Sequence, residues 1–486
     1  MRRLLLFTTI TFFYTVAKAQ TNTFHINLEA QGIATSSNAV PFWLRSNQFG
    51  SVPLKGGSGS LIGQISKDYD TTRRTKLFDW AGSFEGRGNI GNYSKFILVE
   101  GYLKGRAGVF ELKAGRSKDI VGLTDSTLSS GSFSISGNAL GIPKISLGIP
   151  QYYSIPILGK LFAVKGNIAT GYLGNIDIDY ARAKVNKSKS YYWENTFYTK
   201  IGMPDWRFKI EAGYNHEALW GDEKDILRPF NLSGSETFWY VVLGKTYTYS
   251  KVGNHLGSLD IGAEYKFDAF TVSLYRQSFY DKGGLAHLAN IADGLNGLKF
   301  VNNKAGQGNF YWKKILFEIL NTTNQGGYIS SKPTASGAEN YYNNYEYVEG
   351  WSYKGMGLGT PFVTTEADAR EGLPSSPRNY FINNRVLAFH TAAEFSVFKW
   401  LYTGKLSYSI NRGTYETGSG PFQGPANQIM IPTIGPFKKV HQTSVYLEGI
   451  RPLKNNYTVG YDVGFDRGGL LNNSFGLILK VSKSFL

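Results

Sequence analysis

Tyr457-Thr458-Val459-Gly460-Tyr461-Asp462-Val463-Gly464-Phe465 opens the stretch whose reading decides the fold. A polar, glycine-rich break at 466–473 follows. The pattern then resumes in Phe475-Gly476-Leu477-Ile478-Leu479-Lys480-Val481-Ser482-Lys483-Ser484-Phe485. In the first segment every odd position is apolar or aromatic, and Thr458, Gly460, Asp462 and Gly464 fill the even ones. In the second, Phe475, Leu477, Leu479, Val481 and Phe485 share one face and Gly476, Lys480, Ser482 and Ser484 the other, with Ile478 and Lys483 as departures. A period of two is a β-strand, because successive side chains point to opposite faces. Aromatics on one face and Asp or Lys on the other suit either a sandwich core or a membrane barrel.

Composition supports β-structure. The 486 residues are enough for two or three ordinary domains or one large barrel. They include 32 Tyr, 32 Phe, 9 Trp and 57 Gly against 4 Met, which favours strands and many turns. A soluble array of β-sandwiches shares this composition. The mean hydropathy of −0.24 is no argument against a barrel, because alternating strands average to nearly zero. Arg2 and Arg3 precede an apolar run over 4–16, and Ala17-Lys18-Ala19 offers a small-x-small cleavage site before Gln20. This reads as a secretory signal peptide over 1–19, too short to stay in a bilayer as a helix. There is no cysteine, hence no lipoprotein anchor and no disulfide framework. No later segment reaches the ~18 uninterrupted apolar residues of a membrane helix. The chain is therefore expected to be periplasmic, outer-membrane or secreted. Its formal charge is +16, and the loss of Arg2, Arg3 and Lys18 with the leader makes it +13. That charge suits contact with anionic lipopolysaccharide or an acidic polymer. Nucleic acid is not an expected partner of an exported chain without a Lys/Arg block.

Strand signals recur along the chain. Phe78, Trp80, Gly82 and Phe84 alternate with Asp79, Ser83 and Glu85. Ile97, Val99, Gly101 and Leu103 alternate with Glu100, Tyr102 and Lys104, and Phe110, Leu112 and Ala114 with Glu111 and Lys113. Short turns make these three a meander. Similar runs occur at 207–215, 259–265, 270–274 and 402–411. They are long enough to cross a membrane on a tilt, whereas sandwich strands average about five or six residues. A terminal strand with Phe485 next to its end also resembles the closing strand of bacterial outer-membrane barrels. The barrel is the better reading: 1–19 as leader, 20–75 as a segment leading into the barrel, and 76–486 as an outer-membrane β-barrel. Links are short at 452–456, 398–400, 267–268 and 203–205, and long at 466–473, 412–437, about 278–384 and 217–257. This is the asymmetry of tight periplasmic turns against extended outer loops. The meander breaks the rule, so one outer loop there must be trimmed. The insert at 278–384 is too long to be structureless. It is expected to hold two helical pieces, 285–295 and 310–320, the second with Tyr311, Ile315 and Ile319 at spacing four, acting as a plug or lid.

Chemistry-bearing motifs are few. His216-Glu217-Ala218-Leu219-Trp220 starts like a zinc-protease helix, but Trp220 stands where the second imidazole belongs. The six histidines show no ligand spacing, and neither a G-x-S-x-G elbow nor a Walker loop is present. No catalytic residue, cofactor or metal is expected. Sugars are held by stacking on aromatic rings while amides, carboxylates and guanidinium groups take the hydroxyls. Asn340-Tyr341-Tyr342-Asn343-Asn344-Tyr345-Glu346-Tyr347, followed by Trp351, is such a set. The competing reading is an interfacial aromatic girdle.

Several stretches together resemble the Wzi family of capsule-assembly proteins. They are Pro41-Phe42-Trp43-Leu44-Arg45-Ser46-Asn47-Gln48-Phe49-Gly50, Ala114-Gly115-Arg116 with 121–132, and Gly137-Asn138-Ala139-Leu140 with Ile142-Pro143-Lys144. Leu320-Asn321-Thr322-Thr323-Asn324-Gln325 and Gly350-Trp351-Ser352-Tyr353-Lys354-Gly355 complete the set. The resemblance implies a transmembrane antiparallel barrel of about eighteen strands with a few helical plug or loop segments. It implies a lectin-like, non-enzymatic protein that holds capsular polysaccharide at the surface of a Gram-negative cell. No sugar contact transfers residue by residue. From loop position and chemistry alone, Arg116, Lys118 and Asp119 are expected polar contacts, and Tyr341, Tyr342, Tyr345 and Trp351 stacking surfaces. The alternatives are an outer-membrane channel for sugars or other solutes, and a barrel hydrolase.

Overall fold

The computed structural model describes residues 23–485 except 71–76, 92–93, 179–184, 222, 227–229, 248–249, 282–284, 286, 305, 307, 328–336, 345 and 424–427. The expected leader at 1–19 and Tyr345 lie outside the described residues. Nine long strands come first: β1 (Phe24–Thr35), β2 (Ser58–Lys67), β3 (Phe78–Gly91), β4 (Lys95–Ala107), β5 (Phe110–Arg116), β6 (Lys144–Ser154), β7 (Phe162–Asp177), β8 (Lys187–Ile201) and β9 (Phe208–Gly221). Nine more follow: β10 (Asn254–Lys266), β11 (Phe270–Tyr280), β12 (Gly294–Asn302), β13 (Phe310–Asn321), β14 (Val386–Val397), β15 (Trp400–Asn411), β16 (Val440–Pro452), β17 (Tyr457–Gly468) and β18 (Ser474–Ser484). Each pairs antiparallel with its neighbour in sequence. β1 pairs with β18 from Asn27↔Ser484 to Thr35↔Gly476, so the sheet closes as an 18-stranded barrel without edges. The helices α1 (Phe42–Arg45), α2 (Glu223–Ile226) and α3 (Gly234–Val242) are short. None of the described helices is long and apolar enough to cross a membrane.

The wall alternates strictly enough to sort its two faces. Leu61, Phe84, Leu103, Leu147, Ile261, Leu406 and Leu479 point outward and are exposed. Ser60, Glu100, Glu194, Asn215, Asp260, Gln277 and Ser407 point inward and are buried. An apolar exterior around a polar interior is the inverse of a soluble protein and the pattern of a membrane barrel. A further regularity marks one rim. All nine odd-numbered strands begin on an aromatic residue: Phe24, Phe78, Phe110, Phe162, Phe208, Phe270, Phe310, Trp400 and Tyr457. Rings at one height around a barrel form the aromatic belt of a lipid headgroup interface.

That same rim carries the short links, among them 267–269, 398–399 and 453–456. In the two-residue turn, Phe398 and Lys399 have φ of 46° and 69°, the left-handed pair of a type I′ hairpin. The opposite rim carries 36–57, 117–143, 222–253, 322–385 and 412–439, with the link after β3 trimmed to 92–94. The expected asymmetry and its exception are both present.

Two expectations need correction. The segment 20–75 does more than lead into the barrel: it supplies β1 and β2, and β1 makes the closing pair. In β1 Phe24, Ile26, Leu28 and Ala30 alternate with His25, Asn27, Glu29 and Gln31, whereas in β2 glycine and serine fill half of the positions and blur the pattern. The insert at 278–384 is not one link, and its described residues show neither expected α-helix. Residues 294–302 and 310–321 are the hairpin β12–β13, between links 281–293 and 322–385. Spacing four is two strand repeats as well as about one helical turn, so Ile315 and Ile319 share the outward face, while a bulge between Trp312 and Lys314 turns Tyr311 to the lumen. Leu316 and Leu320 are buried in the lumen beside Glu318, so the inward face mixes apolar and charged residues and obscures the period.

Candidate functional site in the barrel lumen

Three long links, 36–57, 117–143 and 337–384, turn inward and fill the bore. The chain closes around a saddle formed by the strand pair that opens the sequence reading. Gly464 and Gly476 stand opposite each other on β17 and β18. A Cβ on Gly464 would lie 2.7 Å from Leu44 Cγ, and one on Gly476 would lie 2.7 Å from Pro41 Cδ. Only this smooth patch lets α1 lie on the wall, with Phe42, Trp43 and Leu44 buried. The Phe42 N–H donates to Asp466 (2.7 Å), and Arg45 pairs with Asp368 (2.7 Å). Ile478, the apolar exception in β18, is buried in the same cluster.

The second link crosses the lumen as a serine ladder. The Ser129 hydroxyl (2.7 Å) and the Ser130 N–H (2.6 Å) donate to the Glu318 carboxylate, which also takes the Tyr275 hydroxyl. Ser134 donates to Asn215 and Glu217 at 3.1 Å each, and Ser136 to the Gly359 carbonyl at 2.7 Å. Between them Phe133 stacks on Phe279, with centroids 4.0 Å apart. His390 joins this link to α1. Its Nε2 faces the Leu128 carbonyl at 2.7 Å and must carry the proton, which makes Nδ1 the acceptor for Ser407 (2.7 Å). Ser407 in turn accepts from Trp43 Nε1 at 3.0 Å.

The third link lies over the ladder. Tyr341 and Tyr342 pack edge-on or tilted against Phe133. Tyr341 donates to Asp293 at 3.0 Å, Tyr342 donates to the Phe133 carbonyl, and Trp351 Nε1 donates to the Ser134 carbonyl at 2.8 Å. Burial pushes Asp293 up to about 6 against the N–H groups of Asn324 and Gln325. Burial likewise pushes Glu223, which accepts from Gly221 N–H and the Tyr347 hydroxyl, up to about 8.

Below the plug, on the short-link side, two cavities remain. The larger, about 800 Å³, is roofed by Asn47 and 125–129 and walled by the short-link ends of β12, β13 and β15. The smaller, about 270 Å³, lies beneath 120–122 against β5 to β8. Their carboxylates are mostly answered. Asp125 meets Lys314 (3.1 Å) and Lys299 (3.6 Å), and these cations with two backbone N–H groups overcome burial and hold it well below the usual carboxylate range. Burial opposes the ionisation of Asp119, but Lys144 (3.2 Å) and Lys113 (2.9 Å) hold it down in the same way. Lys144 is itself buried and also reaches Glu194 at 2.7 Å.

The residues expected to touch sugar fall into two groups. Tyr341, Tyr342 and Trp351 are at most 1% exposed with their polar atoms bonded inside the protein, so they hold the plug together and offer no free stacking face. Arg116 donates to the Leu98 carbonyl (2.7 Å) and Tyr353 (2.9 Å), Lys118 pairs with Glu85 (2.6 Å), and Asp119 belongs to the Lys113–Lys144 cluster. The reason is topological: a bore of eighteen strands leaves a wide void, and the longest apolar link folds into it. The serine ladder was missed, although Ser129, Ser130, Ser132, Ser134 and Ser136 in one short run are visible in sequence. His216 and His255 meet at 2.9 Å across β9 and β10, a pairing that only strand register creates. His216 lies on a strand, so the helical metal motif fails on geometry too.

No protein-family model matches the sequence, and no curated protein matches it. Solved structures do. The chain is similar to Wzi of Escherichia coli, described as an outer-membrane protein involved in group 1 capsule assembly and a carbohydrate-binding β-barrel. That match has 12% identity over 94% of this chain and 83% of that one, with a TM-score of 0.54. Acinetobacter baumannii OccAB2 matches at 10% identity over 96% and 98% of the two chains, with a TM-score of 0.44. Pseudomonas aeruginosa OpdL matches at 8% over 95% and 98%, with a TM-score of 0.45. The likeness to Wzi establishes the fold, which is that of Gram-negative outer-membrane barrels. At such identity it carries no residue correspondence.

Proposed function

We propose that this chain is a non-enzymatic outer-membrane protein that binds capsular or other exopolysaccharide and helps assemble or attach it at the cell surface. The leader at 1–19 exports it, the short-link rim faces the periplasm, and the long links face outward. Outer-membrane lipid meets the apolar exterior, and lipopolysaccharide meets the basic charge. The observation that carries the reading is the plug. Three links are bonded to the wall through buried hydrogen bonds and ion pairs, as in a rigid scaffold. Similarity of fold to a barrel described as carbohydrate-binding supports it. The test is a pull-down of the host's own surface polysaccharide on the purified barrel, with a glycan array beside it. Failure to retain any acidic or neutral polymer refutes the reading.

A second reading, a channel for sugars or other solutes, is favoured by the 800 Å³ polar cavity at the short-link rim. Planar-bilayer recording separates the two. A filled bore passes little steady current, and an ohmic conductance in the intact barrel decides for the channel.

A further inference from the structure

We propose that the larger cavity is a binding site for a uronic-acid type of sugar residue, entered from the short-link rim, with Lys405 as the cation that recognises its carboxylate. The choice of a sugar rests on the polysaccharide reading above; the anion site stands on geometry. Lys405 projects from β15 into the cavity and sits 4.7 Å from the centroid of the Trp43 ring. It makes no ion pair or hydrogen bond among the described residues, unlike Lys144, Lys299, Lys314 and Lys480. Each neighbouring carboxylate is engaged elsewhere: Asp125 by Lys314, Glu394 by Lys314 (3.2 Å), Glu448 by Lys480 (2.6 Å) and Glu318 by Ser129, Ser130 and Tyr275. A cation taken out of bulk water without a counter-charge is costly, and an incoming carboxylate removes that cost. Thr403 and the Tyr446 ring line the same space and offer a hydroxyl partner and an apolar face. A volume of about 800 Å³ is that of a pocket for a ligand of one or two sugar rings.

The smaller cavity repeats the arrangement. Lys165 lies 4.8 Å from the Tyr152 ring and 4.9 Å from the Tyr198 ring, again with no ion pair among the described residues. Ile120 borders both cavities. Two cations so placed suit a glycan that carries a carboxylate on more than one residue.

The experiment uses the full barrel in detergent and isothermal titration with trigalacturonate and, as the neutral control, maltotriose. Trigalacturonate should bind about tenfold or more tightly than maltotriose, and Lys405→Met should remove that preference. Lys405→Arg should keep affinity within about threefold, since it restores the charge. Thr403→Phe, which fills the cavity and spares the lysine, should weaken binding as Lys405→Met does. Equal affinity for the two trisaccharides, or an acid preference that survives both Lys405→Met and Thr403→Phe, overturns the site, whatever the polymer pull-down gives. A failed pull-down with trigalacturonate still bound through Lys405 sinks the polysaccharide reading and leaves the anion site standing.

Discussion

Replacing Glu318 with alanine is the most direct way to loosen the plug without touching it. The carboxylate projects from β13 and is 3% exposed. It accepts from the Ser129 hydroxyl at 2.7 Å, the Ser130 N–H at 2.6 Å and the Tyr275 hydroxyl. Truncation leaves three buried donors without an acceptor, each at a cost of about 1–3 kcal/mol. Ser129 borders the larger cavity, from which water can reach it, so the low end applies. The total is then about 3 kcal/mol, or about a hundredfold in the docking equilibrium of the ladder. Hydrogen-exchange mass spectrometry on the barrel in detergent reads this at 128–136, where exchange should rise about a hundredfold through local opening. Exchange in β13 and β14 should stay slow. Glu318→Gln keeps an oxygen for the Ser130 N–H and should give a much smaller rise. Exchange at 128–136 within about threefold of the parent in Glu318→Ala refutes the assignment of Glu318 as the anchor.

Gly464→Val puts a Cβ and its methyls where Leu44 and Pro41 now lie, and overpacking of this kind costs about 1–3 kcal/mol. Displaced α1 should make the Arg45–Ser46 bond open to trypsin, which leaves the parent uncut there. Lys144→Met strips the counter-charge from the buried Glu194 and leaves Asp119 with Lys113 alone, a loss of about 3–5 kcal/mol for a broken buried pair. Faster exchange at 117–122 reports it, and Lys144→Arg should restore much of the protection. The third link should grip more firmly in mild acid. Asp293 and Glu223 have folded-state values raised to about 6 and about 8, so the folded link binds more protons than the released one. Their favourable contribution is full below the carboxylate's ordinary range and is lost as pH rises through 6 and then 8. Limited proteolysis within 337–351 should therefore be slower at pH 5 than at pH 9. Asp293→Asn should flatten the lower part of that profile, and protection that increases with pH contradicts the assignment.

Legibility differed by face. Outward residues such as Phe84, Leu406 and Leu479 meet only lipid, so their apolar character repeats at every second position and survives in the sequence. Inward residues meet whatever fills the bore. Where the filling is polar, as at Asp462 with Lys480 (2.8 Å), alternation stays clean. Where apolar residues interrupt the inward face, as Leu316 and Leu320 do on either side of Glu318 and Ile478 does next to Lys480 in the inward row, the alternation is blurred or broken. The Tyr-Asn cluster was legible as a special composition but not as a place. The same rings and amides that hold a sugar also hold a buried loop, and Tyr341, Tyr342 and Trp351 do the latter. Lys405 was invisible for the opposite reason: a lysine on a strand is ordinary until its neighbours are seen to be paired with others.

The terminal strand pair states the division in small. By itself the sequence determined that 457–485 is two strands with one lipid-facing side, because side-chain direction follows from a period of two alone. It determined the barrel as well, since strand length, short turns and the absence of an apolar helix are local properties. Only the tertiary structure decided why Gly464 and Gly476 sit on the other side. They face each other across strands and leave room for α1, which lies more than 400 residues away in sequence. Contacts of that separation depend on register and closure, which no local pattern encodes.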